Sequence, residues 1–292
     1  MKTGLILNNA YANIKSSLNQ SLRLKDEFEK LGVQIDIQKN NFFANYVSSD
    51  GEIASLVNHY DFCVYLDKDK YILKMLEKVG VRTFNSYESI ITCDDKMLTH
   101  IALSQHQIKM PTTLSGLLCY SDDGIIIPST LEKIENILQY PIVVKESYGS
   151  LGKSVFLVKN HDELLSKMEE LKLKPHLFQQ LIKSSYGKDV RVIVIGKKVF
   201  ASMQRISKTD FRSNIELGGV GEPFELNDQF IQISEKVAEI LDLDYCGIDL
   251  LFGENGEPIV CEVNSNAFFG GIETVTHLNV AKRYAEYIYN LI

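Results

Sequence analysis

Three oxygen-bearing residues late in the chain, Asp249, Glu262 and Asn264, are spaced so that a single hairpin can gather them. Asn255-Gly256 separates two alternating runs, GIDLLF and IVCEVN, and such a pair favours a tight hairpin because a type I′ turn needs positive φ at both central residues. With those two residues as the loop, Glu254 pairs with Glu257, and Asp249 lies opposite Glu262. Alternation then puts Asn264 on their face and turns Cys246, Ile248, Leu250, Phe252, Ile259, Cys261 and Val263 inward as an apolar face. Two carboxylates directly across a ladder repel unless something neutralises them. A divalent cation would do so. Carboxylates plus an amide carbonyl are hard oxygen ligands suited to magnesium, with manganese as a substitute. A solvated acidic edge accounts for the hairpin equally well.

A second constellation could meet an anion. Lys145 ends the apolar run IVVK, and the following ESYGSLGK can expose backbone N–H groups around Gly149, Ser150 and Gly152, where side chains would obstruct phosphate oxygens. The Walker A pattern is absent, and a glycine-bearing loop is by itself only a turn. Lys96, behind Asp94-Asp95, is a second basic residue ahead of a helical pattern. No Ser-His-Asp or Cys-His arrangement stands out, and His100 reads as packed on its helix.

These residues need elements to position them. Up to about Asn85, short apolar runs (GLILN, VQIDI, FCVYL, VRTF) alternate with helical spacing such as Leu18, Leu22, Phe28 and Leu31, the rhythm of βαβ units and a parallel sheet. No G-x-G-x-x-G follows the first strand, which removes most of the case for a dinucleotide-binding oxidoreductase. A middle stretch reads strand, glycine-bearing loop, strand (Ser154 to Val158), then a helix from Asp162 as N-cap with Leu164, Leu165, Met168 and Leu171 inward. The last stretch holds hairpins at Gly196-Lys197 and Asn255-Gly256, and a helix carrying Ile233, Val237, Ile240 and Leu241. Ser207 to Pro223, glycine-rich and without periodicity, reads as an active-site lid. The expected division is an N-terminal α/β unit over 1–92 and two α+β lobes over 93–175 and 176–292.

Composition bounds the rest. With 45% hydrophobic residues and no apolar run of spanning length, a soluble chain without a secretory signal is expected, and the cytoplasm is the default. Five scattered cysteines without a C-x-x-C pair suggest neither disulfides nor a zinc site. A formal net charge of -7 argues against broad nucleic-acid binding.

Taken in order, the landmarks resemble the ATP-grasp superfamily and, within it, the RimK-like ligases that attach amino acids such as glutamate to a carboxylate. They are Asp95-Lys96, IVVK, GSLGKSV, FQQLI, GKDVRVIVIG, Gln204-Arg205, DFRSNIELGG, GIDLL, CEVNSN and GGIE. The resemblance implies an ATP site between two lobes, with the preceding α/β (pre-ATP-grasp) unit completing the substrate cleft. It implies that Lys96 and Lys145 reach the phosphates and that Gly149, Ser150 and Gly152 cover them. Gln179, Gln180, Leu181 and Ile182 would form the hinge that meets adenine, with Asp189 near the ribose and Arg191 and Ser213 also on the nucleotide side. Arg205, Arg212 and Asn214 would surround the transferred phosphoryl group and acceptor carboxylate, Arg212 as a bidentate clamp, and Asp249, Glu262 and Asn264 would hold Mg2+ or Mn2+. Arg191 and Glu273 are equally readable as members of ion pairs.

After EVN the family has a Ser-Pro-Gly turn where this chain has Ser265-Asn266-Ala267-Phe268-Phe269-Gly270, so Phe268 or Phe269 is expected to add bulk to the acceptor pocket. The implied reaction is amide formation through an acyl-phosphate, between a small-molecule or peptide carboxylate and an amine such as glutamate, with homo-oligomers common in the superfamily. A kinase of the same fold acting on a hydroxyl, and a nucleotide-binding regulator without turnover, share the same nucleotide motifs.

Overall fold

The apolar runs of the N-terminal third are bounded by polar residues, and each becomes a strand. The computed structural model describes residues 2–11 and 15–292. Its first part runs β1 (Thr3–Asn8), α1 (Lys15–Lys30), β2 (Gln34–Lys39), a small hairpin of β3 (Asn45–Val47) and β4 (Ile53–Ser55), then β5 (Phe62–Leu66), α2 (Lys70–Lys78) and β6 (Arg82–Phe84). Strand order is β2-β1-β5-β6, and every pairing is parallel. Both faces are covered, as parallel sheets require: Ile6, Phe62 and Val64 face one core with Leu24 and Phe28 of α1, and Leu5, Leu7, Cys63 and Tyr65 face another with Leu73 and Leu76 of α2. On α1 the buried residues are Gln20, Ser21, Leu24, Glu27 and Phe28, whereas Leu18 and Leu22 are exposed. Apolar character alone did not reveal which stripe of that helix packs.

Two helices follow, α3 (Tyr87–Asp94) and α4 (Lys96–Leu103). Asp95 caps α4 by accepting from the Met97 and Leu98 N–H groups, which fixes Lys96 at the first helical position. The second sheet contains β7 (Thr113–Ser115), β8 (Ile142–Glu146), β9 (Val155–Val158) and β10 (His176–Gln180) in the order β7-β10-β8-β9, all antiparallel. It carries α5 (Pro128–Leu138) and α6 (His161–Leu171). The cap of α6 is Asn160, not Asp162, because Asn160 is extended (φ -155°) and accepts from the Glu163 N–H, while Glu163 reaches back to the Lys159 N–H. Leu165 consequently faces solvent. Since β10 pairs with both β7 and β8, the expected boundary at 175/176 falls inside this sheet.

The third sheet has β11 (Lys188–Ile195), β12 (Lys198–Ile206), β13 (Val220–Pro223), β14 (Tyr245–Phe252) and β15 (Pro258–Asn264) in the order β13-β12-β11-β14-β15. Gly196 (φ 58°) and Lys197 (φ 64°) make the tight turn between β11 and β12 that the sequence predicts. The end of the segment read as a lid is strand β13, paired to β12, so the irregular part is shorter than expected. Helix α7 (Asp228–Ile240) covers one face, and α8 (Gly270–Thr276) and α9 (Val280–Tyr289) cover the other. Val280, Ala281, Tyr284, Ala285 and Ile288 of α9 join Leu24 and Phe28 of α1 in one core that spans the first and third sheets. Burying a residue such as Ile288 stabilises that junction by roughly 1.5–3 kcal/mol. Among the described residues no helix is long and apolar enough to cross a membrane.

Candidate active site

Asp249 does lie opposite Glu262, but by a different route from the one the turn rule gives. Only Gly256 of the Asn255-Gly256 pair is left-handed (φ 79°), and the turn runs from Gly253, whose N–H donates to Glu257 O at 2.8 Å. That wider turn pairs Phe252 with Pro258 and Leu250 with Val260; a bulge before Asp249 then restores the pairing with Glu262. The bulge also corrects the faces. Val260 and Val263 are buried with Ile248 and Leu250, while Cys261 turns to the cleft with its Sγ 3.6 Å from Lys145 Nζ. Bulges re-aim side chains in this way next to functional clefts.

Asp249 is 5% exposed and held by two guanidiniums. Arg191 Nη2 donates to its Oδ2 at 2.8 Å, Arg191 Nε donates to Oδ1, and Arg205 Nη2 reaches Oδ1 at 3.0 Å. Arg205 in turn forks onto Asp189, Nε to Oδ1 at 2.7 Å and Nη2 to Oδ2 at 2.6 Å. Burial by itself raises the Asp249 carboxyl, but Arg191 and Arg205 outweigh it and hold the group below the ordinary carboxylate range. Arg191 is therefore an ion-pair partner of Asp249, and so is Glu273 of Arg23, Nη1 to Oε2 at 2.8 Å. The order of positions on β11, β12 and β14 sets this network: Arg191 pairs with Asp249 in one ladder and Asp189 with Arg205 in the other.

On the opposite wall Lys96 and Lys145 are both buried. Lys96 Nζ donates to Gly149 O at 3.0 Å and lies 3.9 Å from Glu262 Oε1. Burial lowers its pKa, with Lys145 and Lys68 adding repulsion and Glu262 opposing them. In the glycine loop, Gly152 has φ 70°, and a Cβ there would meet Asn214 Oδ1 at 2.7 Å, so only glycine lets the loop close on Asn214. Ser150 Oγ accepts from Lys68 Nζ at 3.4 Å. The lid segment is fastened to this loop. Arg212 forks onto its neighbour Asp210 (3.0 and 2.7 Å) and donates through Nη1 to Gly152 O (2.7 Å) and Val155 O (3.1 Å). The fork expected to clamp a substrate carboxylate is thus occupied by Asp210, two residues away in the same turn.

At the hinge, Gln179, Gln180, Leu181, Ile182 and Ser213 line a small cavity, and the buried Gln179 amide is committed to Thr113 Oγ1 (2.9 Å) and His100 Nε2 (3.0 Å). Burial, helped by Lys145, pushes His100 down to about 4. Its Nε2 accepts from Gln179, and a proton there would set two donors face to face. Between about pH 6.5 and 4 the unfolded chain binds a proton at His100 that the folded one refuses, so stability falls as pH falls through that window, by up to about 3 kcal/mol. His100→Gln is expected to flatten that slope in urea unfolding compared at about pH 7 and about pH 4.5; an unchanged slope would remove His100 as its source.

The small cavity, about 90 Å³, and a larger one of about 960 Å³ share four lining residues, Arg205, Asn214, Asp249 and Glu262. Asn264 and Arg191 line only the larger; Lys145, Gly152 and Asp189 line only the smaller. Phe268 and Phe269 both line the larger cavity, as the departure after EVN suggests, and Phe269, 2% exposed, also packs in the core beneath it. The far wall of the larger cavity was not singled out from the sequence: Asn9, Gln20 and Arg23 come from β1 and α1, and Asp67 and Lys68 from the end of β5. The available signal was positional, since polar residues directly after parallel strands stand where α/β sheets bind ligands.

The donor set suits a hard cation. Asp249 and Glu262 are adjacent across a ladder, Asn264 stands two residues on, and Asp249 Oδ2, with one guanidinium donor, retains an acceptor position. Among the described residues no group of three or more His, Cys, Asp or Glu side chains is gathered to hold a metal. Two carboxylates and an amide carbonyl are oxygen donors of the kind that would suit magnesium bound by one or two carboxylates, with phosphate and water supplying the rest.

The RimK-like ATP-grasp domain matches residues 93–288. Over 89% of its length the chain is 35% identical to the Mycoplasma pneumoniae protein called MG012 homolog, covering 90% of that protein. It is 38% identical over 78% of its length to human N-acetylaspartylglutamate synthase A, of which it spans 58%. In fold it matches D-alanine–D-alanine ligase from Bacillus anthracis complexed with ATP, with a TM-score of 0.75 at 17% identity over 99% of this chain and 96% of that one. The fold is therefore that of ATP-grasp ligases, and the chain belongs to the RimK-like ATP-grasp family.

Proposed function

We propose that this protein is an ATP-dependent carboxylate–amine ligase whose site residues act as their positions suggest. The observation that carries the reading is the junction of two cavities at Arg205, Asn214, Asp249 and Glu262. A nucleotide in the smaller and a carboxylate in the larger would bring the γ-phosphate and the attacking oxygen to the same four side chains. Lys96 and Lys145 supply positive charge on the phosphate side, the backbone around Gly149, Ser150 and Gly152 closes over it, and Gln180 to Ile182 offer backbone groups to the base. Asp189 acts by aiming Arg205. Asp249, Glu262 and Asn264 would hold magnesium, which when bound would supply positive charge against the phosphates.

A carboxylate oxygen attacks the γ-phosphorus, the bond to the β-phosphate oxygen breaks, and ADP leaves. The amine then attacks the acyl carbon, the C–O bond to phosphate breaks, and the amine loses a proton as the amide forms. Arg205 stabilises the charge spread over the transferred group, and water must be kept from the acyl-phosphate. At about 90 Å³ the smaller cavity is below the roughly 300 Å³ of ordinary ligand sites. Entry of a nucleotide therefore requires the Arg212 bonds to Gly152 and Val155 to open, which makes residues 207–219 the moving lid. The similarity to N-acetylaspartylglutamate synthase A supports glutamate as the amine and a small carboxylate or peptide as its acceptor.

Hydroxylamine tests the reading. With ATP, magnesium and a panel of carboxylic acids, ADP release accompanied by a hydroxamate is the expected result. Phosphate appearing stably on an alcohol would replace the ligase by a kinase.

A further inference from the structure

The first sheet carries polar residues at the carboxyl ends of three adjacent parallel strands, and they join into one cluster. In the order β2-β1-β5-β6 the chain passes from β1 to β2 on one side and returns to β5 on the other, so the topological switch lies between β1 and β5. Ligands of open α/β sheets bind in the crevice at that point. Here it is flanked by Asn9 and Asp67, which both line the larger cavity. Asp67 is 7% exposed. Its Oδ1 accepts from Asn9 Nδ2 (3.0 Å) and the Lys68 N–H (2.7 Å), and its Oδ2 accepts from Asn40 Nδ2 (2.6 Å).

Those three donors are neutral. The nearest ammonium in sequence, that of Lys68, is turned away to Asp94 at 2.5 Å, and among the described residues no cationic side chain forms an ion pair with Asp67. A buried carboxylate is ordinarily paired with a cation or bound to a metal. A divalent ion would need further acidic oxygens, and the neighbouring Asp69 is committed to capping α2 through the Tyr71 and Ile72 N–H groups. With one donor on Oδ2, an acceptor position remains for a single cationic donor. Burial raises the carboxyl's pKa, with Asp69 adding to it and the three hydrogen bonds opposing, and a bound cation would remove that penalty.

We propose that the crevice between the ends of β1 and β5 is a subsite for the ammonium group of an amino-acid substrate, with Asp67 as its anion. The assignment to a substrate rests on the larger cavity being the acceptor side of the ligase; the ammonium recognition itself does not. It would select amino acids over carboxylic acids lacking a charged amine.

Binding of the twenty amino acids and of their N-acetyl derivatives to the full chain, followed by saturation-transfer NMR and calorimetry, tests it without any variant. At least one amino acid is expected to bind, and acetylation, which removes the charge, to weaken it about tenfold or more. Asp67→Asn, with folding verified by circular dichroism, is expected to weaken the same amino acid by a similar factor and to raise its KM more than it lowers kcat. Amide and hydroxamate formation from that amino acid should then fall by the same factor, because both start from its acyl-phosphate. No binding by any amino acid, equal binding of the acetylated form, or an Asp67→Asn protein that binds as the native one does would each overturn the subsite. If ammonium-dependent binding is found but native protein yields no hydroxamate, the ligase reading fails while the subsite stands.

Discussion

Arg205→Met is expected to destabilise the protein by about 3–5 kcal/mol and to leave no measurable ligation. Arg205 is 4% exposed and bridges two buried carboxylates, forking onto Asp189 and reaching Asp249 at 3.0 Å. Burial works against its charge, but Asp249 and Asp189 outweigh that and keep the guanidinium protonated at any working pH. Methionine fills similar volume yet strands Asp189 without its guanidinium and leaves Asp249 to Arg191. Removing one partner of a buried network costs far more than the network is worth as a whole. Urea unfolding at neutral pH reads the loss, and the double variant Arg205→Met/Asp189→Asn should recover part of it by removing the stranded charge. A loss under about 1 kcal/mol would mean that water already screens this network.

Glu262→Gln should do the opposite, sparing the fold and removing the chemistry. Glu262 has a side chain 25% exposed, and among the described residues its ion-pair contact is Lys96 at 3.9 Å, so the change is expected to shift stability by no more than about 1 kcal/mol. If Glu262 is a magnesium ligand, the neutral amide should cut ADP formation by about 10²–10³-fold, the range of several kcal/mol of charge stabilisation. Magnesium titrations separate this from a general defect. The variant should need far more metal for half-maximal nucleotide binding, read by calorimetry as well as by turnover. An unchanged magnesium requirement would take Glu262 out of the metal site, whatever happened to the rate.

Much of this site was legible before any coordinates, and the reasons are local. Side-chain period 2 is enough to set Glu262 and Asn264 on one face of β15, and alternating strand and helix patterns are enough for a parallel first sheet. Caps likewise follow from short-range hydrogen bonding, so Asp95 could be placed ahead of α4, although Asn160 took the role given to Asp162 because Glu163 reached back to close it. Ordered motifs along the chain then identified the family.

What the sequence by itself determined, then, was the inventory of the acidic hairpin, the two lysines, Lys96 and Lys145, ahead of the glycine loop, and the order of the elements. Tertiary structure alone decided how those groups are spent. A bulge at Cys261, invisible to the alternation rule, compensated for a wider turn and delivered Glu262 to Asp249. Antiparallel pairing of β11 with both β12 and β14 committed Arg191, Arg205 and Asp189 to one another, and a two-residue turn gave the Arg212 fork to Asp210. The Asn9, Asn40 and Asp67 cluster exists only because parallel pairing sets the ends of β1, β2 and β5 side by side. Backbone preferences act over a few residues, but the partner of a buried charge is chosen by strand order, and strand order joins positions that sequence spacing keeps apart.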